Sequence, residues 1–475
     1  MERLTKIGKL PVYSASEVSS SRLGIGFEKL DRDVFDPNKA YDKVAAIGVK
    51  KIRLQSGWMK TERTEGVYDF AWLDEIVDKL LSLGLEPWLC LCYGNPIYTD
   101  LAKPVFGAVG CPPIGSDREL QAWLRYVRAT VEHFRGRISL YEIWNEPNCT
   151  YSWRHEENEE IDFVRNAREY GVFATHTAKA IKEADANAKA MGFALSRIAN
   201  LQYVNCALST GLYEVIDYIS FHVYSSFDGE REANIKALRA LVDSYNPNIK
   251  LIQGESGVQS RSDGHGGMWG FAWSPERQTK MLLRTMITDL YSGLEFTSYF
   301  SAMDMVEALR GRLSDKASYM DFGYFGVISA EFDEDGRATG TYTEKPSYYA
   351  LQTLASLLRG NARPCAIPYA REYLSSRRVN GVDCEDTSLK VYGFELDNGK
   401  KAMLYWNCVS ILTATYEGTV SFCVYGQKND SIRICDLRDG SLYSLPDDMI
   451  EDMQDGGVRL KNIPLTDSPL AILFE

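Results

Sequence analysis

A chain of 475 residues with 45% hydrophobic and 25% charged residues can bury a large core and has the composition of an ordinary soluble globular protein of two or three domains. Its formal net charge of −12 argues against a basic face for nucleic acid. No apolar run reaches the roughly 18 residues of a membrane span. Met1 to Ser20 carries Arg3, Lys6 and Lys9 without an apolar core, so neither anchor nor signal peptide is expected, and the cytoplasm is the expected compartment.

Residues 1–22 read as a polar lead-in that pairs with the C-terminal part of the chain. From Leu23 a strand–loop–helix pattern repeats. The first strand spans Leu23 to Phe27, followed by a helix over Pro37 to Ile47. The second strand, Lys51 to Gln55, carries Arg53. A helix over Phe70 to Leu83 shows Leu73, Ile76, Val77, Leu80 and Leu81 at helical spacing, and Gly84 ends it. The third strand, Leu85 to Tyr93, is apolar almost throughout, as a parallel strand covered on both faces must be. Ser116 or Asp117 caps a helix over Arg118 to Phe134. The fourth strand starts near Ile138 and leads into Glu146. Four further strand and helix pairs follow: Ala190 to Leu195 with Leu201 to Val215, Tyr218 to Val223 with Ala233 to Tyr245, Ile249 to Gln253 with Pro275 to Tyr291, and Leu294 to Phe300 with Pro346 to Leu358. A helix from Ile161 to Ala184 stands between the fourth and fifth strands.

Eight such units in residues 23–360 predict an α/β fold, a (β/α)8 TIM barrel. A doubly wound sheet is the alternative, but Gly24-x-Gly26 lacks the third glycine of a phosphate loop. Residues 361–475 change texture. Short β-type runs (Leu389 to Phe394, Lys401 to Trp406, Thr419 to Val424, Ser431 to Cys435) are separated by turns at Asp397 to Gly399 and Arg438 to Gly440, which predicts an antiparallel β-sandwich. The ten cysteines lack paired zinc spacing, and neither a metal nor a cofactor is expected.

A barrel of this kind carries its active site at the carboxyl ends of its strands. The residues that fall there are Arg53, Gln55 and Trp58 after strand two, Tyr93 and Asn95 after three, Asn145 and Glu146 after four, His222 and Tyr224 after six, Glu255 after seven, and Tyr299, Phe300 and Asp304 after eight. Two carboxylates beside an Arg, a His, amides and aromatics suit glycosidic-bond chemistry. One acid protonates the leaving oxygen and one carboxylate meets the anomeric carbon. Glu142 shares the strand parity of Glu146 and reads as a buried partner for an Arg. In the Gly-rich loop from Ser262 to Ser274, Trp269 or Trp273 either meets a sugar or packs on the next helix. Trp153 and His155, just after strand four, are left open between site and packing.

The segment Glu142-Ile143-Trp144-Asn145-Glu146-Pro147-Asn148, with Glu255 ending a later strand, Arg53 on strand two and a trailing β-domain, resembles clan A of the glycoside hydrolases. It is most similar to family 39, which includes β-xylosidases and α-L-iduronidases. The resemblance implies a retaining double displacement with Glu146 as acid/base and Glu255 as nucleophile. It also implies that Asn145 bonds the sugar 2-OH, that Arg53 orients Glu255, and that Tyr224 and His222 line the same subsite. Asn95, Trp269 and Phe300 complete the expected substrate-binding set. The chain departs from the family pattern at Gly254-Glu255-Ser256, where Thr commonly precedes the nucleophile, and at Tyr299-Phe300, where Trp commonly ends strand eight. The expected partner is a small glycoside or oligosaccharide, with no nucleic acid or membrane and with homo-oligomerisation open. The alternatives are a non-catalytic carbohydrate-binding protein on a degenerate barrel, and an inverting or endo-acting glycosidase.

Overall fold

The computed structural model describes residues 3–154, 162–307, 311–373, 377–383, 388–429, 431–454 and 456–474. The chain first lays down a short strand, β1 (Thr5–Lys9), which pairs antiparallel with Ser441–Ser444 of the C-terminal region. It then builds a closed parallel barrel of eight strands in chain order. These are β2 (Leu23–Gly26), β3 (Lys51–Gln55), β4 (Glu86–Leu91), β5 (Leu140–Ile143), β6 (Lys189–Leu195), β7 (Tyr218–Val223), β8 (Lys250–Ser256) and β9 (Thr297–Tyr299), and β9 returns to β2. Each strand is buried on both faces over most of its length, which is why its sequence is apolar without alternation.

The helices ring the barrel: α1 (Tyr41–Ile47), α2 (Trp58–Thr61), α3 (Ala71–Ser82), α4 (Asp117–His133), α5 (Phe163–Ala184), α6 (Leu201–Leu208), α7 (Arg231–Asp243), α8 (Pro275–Tyr291) and α9 (Pro346–Leu357). Side chains mark several starts. Ser116 accepts from Glu119 N at α4, Asp162 accepts from Val164 N at α5, and Ser274 accepts from Arg277 N at α8, where Pro275 opens the first turn. Ile161, the expected start of the helix observed as α5, and His155 lie outside the described residues.

Two strands differ from expectation in a way that matters for the site. β8 runs on through Glu255, so that carboxylate is held by the sheet and not by a loop. β9 is shorter than expected, and Phe296, just before it, packs with Trp88, Met191 and Ile252. The insertion after β9 folds partly into small antiparallel pairs. One joins β10 (Met305–Val306) to β11 (Phe322–Gly323), and another joins Ile328–Phe332 to Ala338–Glu344.

Beyond residue 360 two antiparallel sheets face each other. One runs in the order Thr5–Lys9, Ser441–Ser444, Arg433–Asp436, Leu470–Phe474, Lys401–Asn407, Leu389–Glu395, Arg363–Pro364. The other is built around the long strands Tyr416–Tyr425 and Gly457–Thr466. Their shared core holds Met403, Tyr405, Phe422, Val424, Leu460 and Ile472. Among the described residues, no helix is long and apolar enough to cross a membrane.

Candidate active site

The chain leaves β5 through a strained turn. Trp144 and Glu146 both take left-handed backbone conformations, at φ 66° and φ 48°. Such conformations cost on the order of 1–3 kcal/mol each outside glycine and persist where surrounding packing over-determines them. That packing is present. Trp144 is fully buried among Tyr93, Trp123, Trp153 and Phe173, its Nε1 donates to Ser152 O (2.6 Å), and Glu146 N donates to Ala194 O (3.1 Å). The turn presents the Glu146 carboxylate to His222 Nδ1, 3.1 Å away.

Glu255 arrives by a different device. Phe221 stands opposite Gln253 and His222 opposite Glu255, so Gly254 is an extra residue in the β7–β8 register, a bulge. A Cβ on Gly254 would lie 2.4 Å from Ser220 Oγ and 3.2 Å from both Glu142 Oε1 and His222 Nε2. Only glycine fits there. This accounts for glycine, and not Thr, standing before Glu255.

The bulge brings Glu255 beside His222, and His222 Nδ1 sits between the two carboxylates. It lies 3.1 Å from Glu146 Oε1 and 3.4 Å from Glu255 Oε2, and all three atoms lie within 4.8 Å of one another. Tyr151 OH donates to Glu146 Oε2 (2.7 Å), and Tyr224 OH donates to Glu255 Oε2 (2.5 Å). Arg53 lies beneath, fully buried. Its Nε donates to Glu142 Oε2 (2.6 Å), its Nη1 to Glu28 Oε2 (2.8 Å) and to Glu255 Oε1, and its Nη2 to Asn145 Oδ1 (2.9 Å).

These contacts set the protonation preferences. Burial pushes the Glu255 carboxyl up, but His222, Arg53 and the Tyr224 hydroxyl together outweigh it and hold the group below the usual carboxylate value. Burial works against a charged His222, yet the Glu255 charge and the Glu146 hydrogen bond leave the imidazole above its usual value. Glu255 is therefore built to be ionised. Among the described residues, Glu146, His222 and Glu255 form the one group close enough to grip a cation. Glu255 is already served by Arg53 and Tyr224, and the guanidinium repels a metal there.

The structure gathers Arg53, Asn145, Glu146, His222, Tyr224 and Glu255 into one cluster. Phe300 joins it, meeting Tyr224 edge-on at 6.1 Å and Phe325 at 5.7 Å. Glu142 is the fully buried Arg53 partner that its strand parity indicated. Other strand-end residues are used elsewhere. Asn95 is fully buried, donating to Glu62 O (2.8 Å) and accepting from Ile97 N (3.0 Å), so its amide ties its own loop. Trp58 stacks on Tyr98 and Tyr126 and donates to Glu62. Tyr299 OH donates to Val258 O (3.3 Å), and Asp304 is bound to Lys345 at 2.7 Å. Trp153 packs on Trp144 and Tyr170. In the loop after β8, Trp273 is buried and donates to Met268 O, while Trp269 stands 70% exposed on the surface.

Four further residues belong to the cluster and were not singled out from sequence. Glu28 and Lys29 follow β2, Tyr151 follows the strained turn, and Glu307 follows β10. Lys29 Nζ donates to Val306 O (3.0 Å), lies 3.8 Å from Glu307 Oε2, and sits 5.2 Å over the Phe300 ring. Glu307 is clamped between the loop at Gly266 and strand β11, since a Cβ on either Gly266 or Gly323 would strike it. All four lie in irregular backbone, where strand parity gives no indication of direction.

A closed (β/α)8 barrel with Asn-Glu after β5, Glu at the end of β8 and a C-terminal sandwich is the arrangement expected of a clan A glycoside hydrolase. Residues 36–257 match the model of the glycosyl hydrolases family 39. The chain is 26% identical over 169 residues to a β-xylosidase of Geobacillus stearothermophilus, covering 34% of this chain and 31% of that protein. It is 23% identical over 344 residues to a β-xylosidase of Caldicellulosiruptor saccharolyticus, covering 66% of this chain and 62% of that protein. The matched regions thus span less than two thirds of either relative. Among solved structures, a family 39 glycoside hydrolase from the gut symbiont Bacteroides cellulosilyticus WH2 superposes with a TM-score of 0.66 at 15% identity, over 98% of this chain and 83% of that one. Over residues 36–257 the chain is thus similar to the glycosyl hydrolases of family 39, and its fold is that of a solved family 39 structure.

Proposed function

We propose that this protein is a retaining glycoside hydrolase that removes a terminal sugar, β-xylosidase-like, with Glu146 as acid/base and Glu255 as nucleophile. The observation that carries the reading is the spacing of the two carboxylates, whose nearest oxygens lie within 4.8 Å of each other across His222 Nδ1. That spacing supports direct attack. Inverting enzymes leave room for a water, with carboxyl groups about 6.5–9.5 Å apart. In the first step Glu146 gives its proton to the leaving oxygen. The glycosidic C–O bond breaks, and a Glu255 oxygen bonds the anomeric carbon. In the second step Glu146 takes a proton from water, whose oxygen displaces Glu255. Arg53 and Tyr224 hold Glu255 ionised and aimed, and Asn145 faces the sugar from its place on Arg53. The Lys29–Glu307 pair and the loop laid on Glu307 support a pocket closed at one end, which favours a terminal sugar.

A panel of aryl glycosides tests the reading. Turnover of an aryl β-xyloside with retention of configuration is expected. Glu255→Ala should lower kcat by about 10⁴-fold or more, in the range seen on removing a covalent nucleophile, and azide should restore turnover as a glycosyl azide of inverted configuration. Sugar binding without turnover of any glycoside would instead mark a carbohydrate-binding protein, and an inverted product would exclude the double displacement.

A further inference from the structure

Arg53 serves more carboxylates than one guanidinium can neutralise. Glu28, Glu142 and Glu255 all accept from it, and none is more than 6% exposed. An uncompensated buried charge is removed most cheaply by taking up a proton. The partners of each carboxyl indicate which one takes it. Glu255 has donors on both oxygens, from Arg53 on one and from Tyr224 on the other, with His222 Nδ1 3.4 Å from the second. Glu142 keeps the Arg53 Nε bond on one oxygen; its other oxygen is also buried with no bonded donor, but two side chains able to hydrogen-bond, Ser220 and His222, line the same space around Gly254. Glu28 differs in what surrounds its unbonded oxygen. Its Oε2 accepts from Arg53 Nη1 (2.8 Å), with Gln55 Nε2 at 3.5 Å. Its Oε1 is buried with no donor, sharing the space beside Gly26 with the edge of the Phe300 ring.

We propose that Glu28 is a positioning residue that works in its protonated form: as a neutral acid it leaves the Nη1 edge of Arg53 to Glu255, and as a carboxylate it draws that edge away from the nucleophile. The inference rests on the reading of Glu255 as nucleophile. The groups that face Glu28 are Arg53 and Gln55 from β3, Glu255 from β8, His222 from β7 and Lys29 from its own loop. Burial pushes the Glu28 carboxyl up to about 7, Arg53 opposes the shift, and the Glu255 charge adds to it. No covalent step is involved, since the proton of Glu28 exchanges with solvent. Nor is Glu28 required to touch the sugar; it acts through Arg53.

Two readouts test this, one of them independent of activity. In protein labelled with carboxyl-¹³C glutamate, the resonance absent from Glu28→Gln should titrate near neutrality in the wild type. The same resonance should move to lower pH in Glu255→Gln, because the neighbouring charge is gone. Glu28→Asp removes that resonance too, so the assignment does not depend on one variant folding. In kinetics, the alkaline fall of kcat/KM should involve one group fewer in Glu28→Gln than in the wild type. A Glu28 resonance in the ordinary carboxylate range, or one indifferent to Glu255→Gln, overturns the proposal, as do superimposable pH profiles. If the wild type hydrolyses no glycoside, the function reading fails, and the titration still decides the protonation of Glu28.

Discussion

Arg53 is the residue on which the others in the cluster depend, because three carboxylates and the Asn145 amide close on it. Removing one member of a buried charge cluster leaves its partners uncompensated and costs about 3–5 kcal/mol. Arg53→Met should therefore lower the unfolding free energy by about that amount, read by denaturant titration. Arg53→Lys should lower kcat more than it raises KM, because an ammonium cannot span Glu142 and Glu255 at once. Glu28 gives a prediction with a definite sign. Its folded-state value of about 7 stands above the ordinary 4.5, so its contribution to stability is present below the ordinary value and is lost as pH rises through 7. Glu28→Gln has no proton to lose. Its Tm should gain on the wild type between pH 5 and pH 8, by an amount equivalent to about 3 kcal/mol, and an unchanged Tm difference across that range would contradict it. Arg53, Glu142, Glu146 and Glu255 were legible in the sequence because strand parity and strand ends aim them at the barrel axis. Glu28, Lys29, Tyr151 and Glu307 were not, since each hangs from a loop whose direction is set by tertiary packing. Asn95 misled for the same reason. It stands just past a strand end, and its amide is consumed by the loop it begins.

At the scale of elements, the β7–β8 pair shows how much a single inserted residue decides. The run Ile249 to Gln253 read as an ordinary strand with Glu255 just beyond it, and the barrel itself was legible from eight apolar runs alternating with amphipathic helices. The bulge was not, because periodicity carries no trace of which glycine leaves the register. Yet without it His222 would face Gly254, and the imidazole would not stand between the two carboxylates. Gly254→Ala puts a methyl 2.4 Å from Ser220 Oγ in fully buried surroundings. Such overpacking costs roughly 1–3 kcal/mol and should move His222 away from Glu255, so kcat falls along with stability. Ser220→Ala removes the clashing oxygen, so the double variant Gly254→Ala/Ser220→Ala should recover much of both losses. A double-mutant cycle with no coupling energy would show that the bulge is not what places Glu255. The β10–β11 hairpin was equally hidden in the sequence, since a two-residue strand is too short to show a period. It delivers Glu307 to the mouth of the barrel all the same.

At the scale of the molecule, the sandwich is fastened to the barrel through α8, a helix buried nearly all round because its outer face meets the second domain. Arg284 is the centre of the joint. Its Nε donates to Asp467 O (2.8 Å), its Nη1 to Val409 O (2.8 Å) and Asp228 Oδ1 (3.3 Å), and its Nη2 to Asn407 O (3.1 Å). One turn earlier Lys280 pairs with Asp467 at 3.0 Å, and Lys390 reaches Glu232 of α7 at 3.1 Å. From the other end of the chain, β1 adds a strand to the sandwich sheet and then runs back to begin the barrel, so the first and last parts of the sequence fold against one another. The two domains are thus held by Arg284, bonded to three backbone carbonyls, by the Lys280 and Lys390 ion pairs, and by the chain that runs from β1 in the sandwich sheet into the barrel. Such a joint couples the two domains, because separating them gives up every bond that Arg284 makes across it. Arg284→Met removes the donors and keeps the bulk. Calorimetry of the wild type should give one transition with equal calorimetric and van't Hoff enthalpies. The Arg284→Met protein should separate into two transitions, the earlier one destabilised by about 3–5 kcal/mol. None of the Arg284 partners touches Glu146 or Glu255, so the variant should retain its aryl-glycoside turnover below the first transition. Loss of turnover before any unfolding would show instead that the sandwich shapes the catalytic mouth directly.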